Sequence, residues 1–226
     1  MAEKQTLKFY FSTEGETEKW YLEHLQTLIN NCTEAEYKVS FIIKVCRPKT
    51  FIKRVVNISR TTIYHFFDVE SVEPEYIARF NGVFDEMLNA EKMGKEINYE
   101  NGYSNLTFEL WILLHKVDCN GSISERKNYL KKINKTFNTR FQGIKEYKEE
   151  NHFKNILKTI TLDDVREAIT RAKSIEKNNQ QNGYTKVNYK KYSWYKENPS
   201  TAVGNIIGEI INKCEIKTSP GVAGGA

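Results

Sequence analysis

Between Leu7 and Phe11, apolar residues alternate with Lys8 and Tyr10, a period of two that predicts a strand, whereas Trp20, Tyr21, Leu25, Leu28 and Ile29 recur at helical spacing. The junction between them, Ser12-Thr13-Glu14-Gly15-Glu16-Thr17-Glu18, is acidic and hinged on glycine. The alternation returns at residues 37–46, and Pro48 opens a helix that apolar spacing carries to about Arg60. Residues 61–67 form a continuous β-prone run that stops at Asp68-Val69-Glu70. An unbroken apolar strand is what burial on both faces of a parallel sheet produces. Residues 74–93 predict a helix, residues 95–103 a weak strand, and residues 104–115 a buried helix capped by Ser104, Asn105 or Thr107.

After residue 119 the pattern is helical without strands, over about residues 124–138, 149–159, 162–179 and 200–213, with a polar loop at 178–183. The expectation is an α/β fold with a mostly parallel sheet flanked by helices, spanning residues 1–118, and a helical basic lobe over 119–218. Residues 219–226 carry neither period nor charge and are expected to be a disordered tail.

Composition sharpens this picture in two places. The net charge of +5 is modest, but residues 122–195 hold 17 Lys and Arg against 8 acids, interleaved with aromatics. That mixture suits phosphates and bases, and Lys131, Lys132 and Lys135 are the candidate nucleic-acid contacts; a solvated lysine-rich surface is the alternative. Cys32, Cys46, Cys119 and Cys214 are too far apart in sequence to suggest a zinc site or a disulfide framework. No apolar run approaches the ~20 residues of a membrane span, and the first residues lack a signal-peptide core, so a cytoplasmic protein is expected.

The candidate chemistry lies in acids that close strands. In an open α/β sheet, ligands bind beyond the carboxyl ends of the strands, where Glu14, Asp68 and Glu70 would emerge together. A hard Mg²⁺ or Mn²⁺ ion takes such carboxylates and leaves water for phosphate oxygens. The competing expectation for the first junction is structural: Glu14, Glu16 and Glu18 complement a helix end, with Thr13 and Glu16 forming a capping box. Glu109, set among apolar neighbours, must face either a polar crevice or a buried ion-pair partner. His115 reads as a satisfied core histidine, and His65 reaches the crevice only if its strand end bends.

Several of these residues together resemble a family. Residues 11–18 with Tyr21, Phe67-Asp68-x-Glu70, Ser104-Asn105-x-x-Phe108-Glu109-x-Trp111-x-Leu113-x-His115 and Asn198-Pro199-Ser200-Thr201 resemble the RloB-like proteins of bacterial restriction-linked and abortive-infection loci. The resemblance implies a Toprim-like catalytic core acting beside an AAA/ABC-type ATPase in phage defence. It further implies Glu14 as proton-transfer group or metal ligand, Asp68 and Glu70 as Mg²⁺ ligands, and Glu109 as a supporting acid. Two positions depart from the family pattern: Glu70 replaces the second Asp, and Leu106 stands where Pro is usual. The expected function is therefore metal-dependent cleavage of DNA or RNA, with a non-cleaving nucleic-acid or partner-binding sensor as the alternative.

Overall fold

A computed structural model describes residues 4–55, 60–121, 123 and 125–216. Four parallel strands, β1 (Thr6–Thr13), β2 (Lys38–Val45), β3 (Thr61–Asp68) and β4 (Ile97–Asn105), lie in the order β2-β1-β3-β4. Their connections are α1 (Glu16–Asn31), α2 (Pro48–Arg54) and α3 (Pro74–Glu91). A fifth strand, β7 (Ser200–Thr201), joins β4 antiparallel. The apolar run of β3 is buried from Ile63 to Phe67, because helices cover both faces of the sheet. One core packs Tyr64 and Phe66 against α1 and later helices, and the other packs Ile63 and Phe67 against α2 and α3.

The remaining helices are α4 (Glu109–Leu114), α5 (Lys127–Thr136), α6 (Ile144–Tyr147), α7 (Glu150–Leu157), α8 (Leu162–Gln181) and α9 (Val203–Lys213). Their apolar stripes enter the same core as β1, since Phe11, Trp111, Tyr129, Phe153, Ile169 and Ile207 form one buried cluster. The expectation of helices without strands is corrected here. A hairpin of β5 (Val187–Tyr189) and β6 (Tyr192–Trp194) seals the α3 side, and β7 extends the sheet. Each strand is too short, at two or three residues, to generate a readable alternation.

Local boundaries also moved. Helix α2 ends at Arg54, short of Arg60, and residues 56–59 lie outside the described residues, as does the predicted tail. Helix α8 runs through the expected polar loop to Gln181, with Asn179 turned inward so that its amide donates to the Pro199 carbonyl at 3.0 Å. Ser104 and Asn105 end β4 instead of capping α4, whose N-cap position is Phe108. They pair with Thr201 and Ser200, and the Asn105 amide donates to the carbonyls of Tyr195, Lys196 and Glu197 at 2.9–3.2 Å. The Ser104-Asn105 and Asn198–Thr201 motifs are thus one structural seam that fixes the end of β4 beside the strand-end acids.

Candidate active site

The acids of β1 and β3 meet because these strands are parallel neighbours ending at one edge. Glu14 N–H donates to Phe66 O at 3.0 Å, and the Glu14 carboxylate accepts from Asp68 N–H at 3.1 Å. Glu70 has φ of 63°, a left-handed conformation unusual for a residue with a Cβ, and its N–H donates to Leu106 O at 2.9 Å. That bond ties the Asp68–Glu70 turn to the segment leading into α4.

The first helix does not begin as expected. Gly15 occupies the N-cap position with no side-chain cap; Thr13 Oγ1 donates to Gly15 O at 3.0 Å, and Glu16 pairs with Lys19. The Thr13–Glu16 capping box is therefore a correction. Thr13 is buried at the strand end and uses its hydroxyl locally, so it is not turned toward the helix amides. Glu18 instead points inward, 4 % exposed, accepting from Thr17 Oγ1 at 2.9 Å. A Cβ on Gly15 would stand 2.8 Å from a Glu18 carboxylate oxygen, so glycine here makes room for the acid.

Two cations from the later chain close the site. Arg126 donates to Glu70 Oε1 at 2.6 Å, Asp68 Oδ2 at 3.2 Å and Thr107 Oγ1 at 3.1 Å. Lys148 lies 3.1 Å from Glu109 Oε1. Thr107 Oγ1 touches the Glu109 carboxylate and lies 3.2 Å from Asp68 Oδ2, linking the two acids. Glu109, 2 % exposed, thus has a cationic partner and is joined to Asp68 through Thr107, while its own side chain borders the neighbouring cavity and not the acid cleft. The cleft holds about 240 Å³ and is walled by Glu14, Glu18, Asp68, Glu70, Arg126 and Lys148.

Charge is unbalanced in this cleft. Burial, then the nearby charges of Glu18 and Glu109, push the Asp68 carboxyl well above its ordinary range, and Arg126 only partly offsets them. Burial likewise raises Glu18, against the opposing pull of its own backbone N–H and Lys148. Burial disfavours the charged forms of Arg126 and Lys148, yet the surrounding carboxylates reverse that effect and hold both cations above their ordinary values. A site of this kind favours uptake of a proton or a cation.

The donors of the cleft are all carboxylate oxygens, the hard ligands Mg²⁺ takes. Asp68, whose side chain is 8 % exposed, keeps Oδ1 buried without a hydrogen-bond partner among the described residues. The chemistry fits. As the side chains stand, no three His, Cys, Asp or Glu among the described residues converge as a ligand group, and the Arg126 guanidinium pairs with both Asp68 and Glu70.

The other candidates separate. His115 is buried, with its Nδ1 bonded to Trp111 O at 2.9 Å, and burial lowers its pKa to about 4. His65 is held at 2.8 Å by Ser12 Oγ, stacks on Phe67, and burial lowers its pKa to about 3. Lys131 and Lys135 are exposed on α5, whereas Lys132 is half-buried toward Cys119. Tyr129, Tyr147, Phe153, Tyr192, Trp194 and Tyr195 are buried in the cores, so these aromatics are packing groups and not a surface platform for bases. The residues that sequence reasoning missed are Thr107, Arg126 and Lys148, with Glu18 assigned only to the helix end. Nothing local marks Arg126 or Lys148, which arrive from tertiary structure.

Fold and site define an α/β protein whose parallel strands deliver carboxylates to one edge beneath two basic side chains. The family model for RloB-like proteins matches residues 9–210, and the chain belongs to that family. Comparison with curated proteins and with solved structures returned no match.

Proposed function

We propose that this protein is a Toprim-like, divalent-cation-dependent phosphodiesterase that cuts nucleic acid in defence against phage, acting with an AAA/ABC-type ATPase. The observation that carries this reading is the gathering of Glu14, Glu18, Asp68 and Glu70 about one cleft, with Glu109 joined to Asp68 through Thr107 and a buried Asp68 oxygen without a partner among the described residues. Structural ion pairs do not require such an excess of acid. Glu14, Asp68 and Glu70 would hold Mg²⁺ or Mn²⁺, which when bound supplies Lewis-acid stabilisation of the phosphoryl oxygens.

The chain's own groups have distinct tasks. Glu14, the exposed acid at the helix start, would either move a proton or serve as one of the metal ligands. The Arg126 fork suits two phosphate oxygens as well as it suits the carboxylates it now holds. Glu109 and Thr107 position Lys148 and Asp68. Lys131, Lys132 and Lys135 would draw in phosphates without reading sequence, and replacing all three should weaken binding and lower its salt dependence.

A second reading, a non-cleaving sensor that binds nucleic acid or a partner, draws support from Arg126 and Lys148 already being paired with the acids. Labelled DNA and RNA incubated with the purified protein in Mg²⁺ or Mn²⁺, with and without a neighbouring-locus ATPase, separates the two. Cutting that disappears in Asp68→Asn and Glu14→Gln supports the enzyme. Phage protection that survives both substitutions would leave only the sensor.

A further inference from the structure

Beside the acid cleft lies a larger chamber of about 620 Å³, and Arg126 and Lys148 border both. One wall is the face of α5 bearing Lys127, Leu130, Lys131 and Asn134, at spacings of three and four; the other is the segment around Phe141 and Ile144. Leu130, Phe141 and Ile144 make the interior apolar, and Ile144 is a strongly exposed large apolar side chain, at 41 %. The rim is cationic. Lys131 makes no ion pair among the described residues, and Glu109, the one acid of the lining, is held by Lys148.

We propose that this chamber receives an unpaired nucleobase next to the phosphate held at the cleft; the proposal rests on the nucleic-acid reading above and specifies its substrate class as single-stranded or locally unpaired strand. Apolar walls and a ring at the far side suit the face of a base, and the lysines suit the phosphates on either side of it. A base inside a duplex keeps its faces stacked and cannot enter.

The amides of the chamber are partly committed to its own turn. Asn134 uses its amide on Phe141 O at 2.9 Å, and its carbonyl accepts from Thr139 Oγ1 at 2.9 Å and Phe141 N–H at 3.0 Å. The Gln142 amide donates to Arg140 O at 3.0 Å. Both amides thus help shape the turn, and the proposal concerns stacking of a base and not its identity. An apolar peptide is the less suitable occupant, since four cations border the chamber.

The test measures binding by fluorescence anisotropy with the full chain in EDTA, so that cleavage plays no part. The probes are a labelled ten-nucleotide single strand, the same strand carrying abasic positions, and its duplex. The intact single strand is expected to bind about tenfold more tightly than the abasic strand or the duplex. Ile144→Asn, at a partly solvated position, should remove that preference while leaving abasic binding unchanged. In the parent protein, a nucleoside monophosphate should displace the probe, and ribose 5-phosphate at equal concentration should not. Equal affinity for intact and abasic strands, or equal competition by the two small molecules, would overturn the proposal and assign the chamber to an apolar segment of another protein. Cleavage in Mg²⁺ is scored separately: its absence would remove the nuclease reading and leave the base preference standing.

Discussion

Helices α1 and α8 both follow a threonine with an acid three residues on, yet they begin in opposite ways. At α8 the box closes: Thr161 Oγ1 accepts from Asp164 N–H at 3.2 Å, the Asp164 carboxylate accepts from Thr161 N–H at 2.8 Å, and Lys116 pairs with that carboxylate at 2.6 Å. Its acid is satisfied by the helix end. At α1 the helix starts on Gly15 without a side-chain cap, and its acids face outward to solvent or inward to the cleft. Capping of this kind contributes about 1 kcal/mol. A helix start that forgoes it while burying Glu18 among other acids fits the proposed cation site.

The electrostatics repeat the contrast. At Asp164, burial is outweighed by bonds from Lys116 and Thr161, so its pKa falls below the ordinary 3.8. At Glu18, burial wins and the pKa rises above 4.5. Asp164 therefore adds stability that is full above its unfolded pKa and is lost as pH falls through the folded value. Glu18 behaves in reverse: its contribution is present below about pH 4.5 and is lost as pH rises through the folded value.

The largest effect that could break the comparison is on cutting. Glu14→Gln should lower cleavage by about 10²–10⁴-fold, the usual weight of a proton-transfer group, with little change in melting because Glu14 is exposed. Unchanged cleavage would make the α1 acids structural like that of α8. Next comes a pair of opposite signs. Glu18→Gln should raise the melting temperature at pH 7, with the gain vanishing near pH 4, whereas Asp164→Asn should lower it at pH 7, with the loss shrinking under acid. Shifts of about 2–4 °C are expected, those of about 1 kcal/mol in a chain of this size, and calorimetry across that pH range reads both. Shifts of the same sign would erase the distinction. The smallest effect is Thr161→Ala, which should cost about 1 kcal/mol in thermal unfolding and leave cleavage untouched.

The sequence made the sheet legible where side-chain patterns are long enough to carry a period. Residues 61–67 announced a central strand, and the acids after β1 and β3 pointed to the edge where Glu14, Asp68 and Glu70 meet. The same residue spacing misled at Thr13, because a capping box is decided by whether the threonine hydroxyl turns to the helix or, as here, to Gly15 O. Arg126 and Lys148 were illegible for a different reason. They lie 58 residues beyond Asp68 and just past α6, respectively, and only the shared packing of α5 and α6 with the sheet core carries them to the acids. Glu109 was legible as an acid in need of a partner, but Lys148 as that partner was not.

The proposed function requires that the cleft's excess of carboxylate be held for a cation. Thermal unfolding of the parent and of Asp68→Asn, each in EDTA and in Mg²⁺ or Mn²⁺, tests it most directly. In EDTA at neutral pH the variant should melt higher, because the raised Asp68 pKa marks an ionised carboxylate that the fold disfavours. Added metal should then raise the parent's melting temperature and leave the variant's unchanged. A variant that melts lower than the parent in EDTA, with neither protein responding to metal, would show that Asp68 serves Arg126 as a structural ion pair, and the claim would fail.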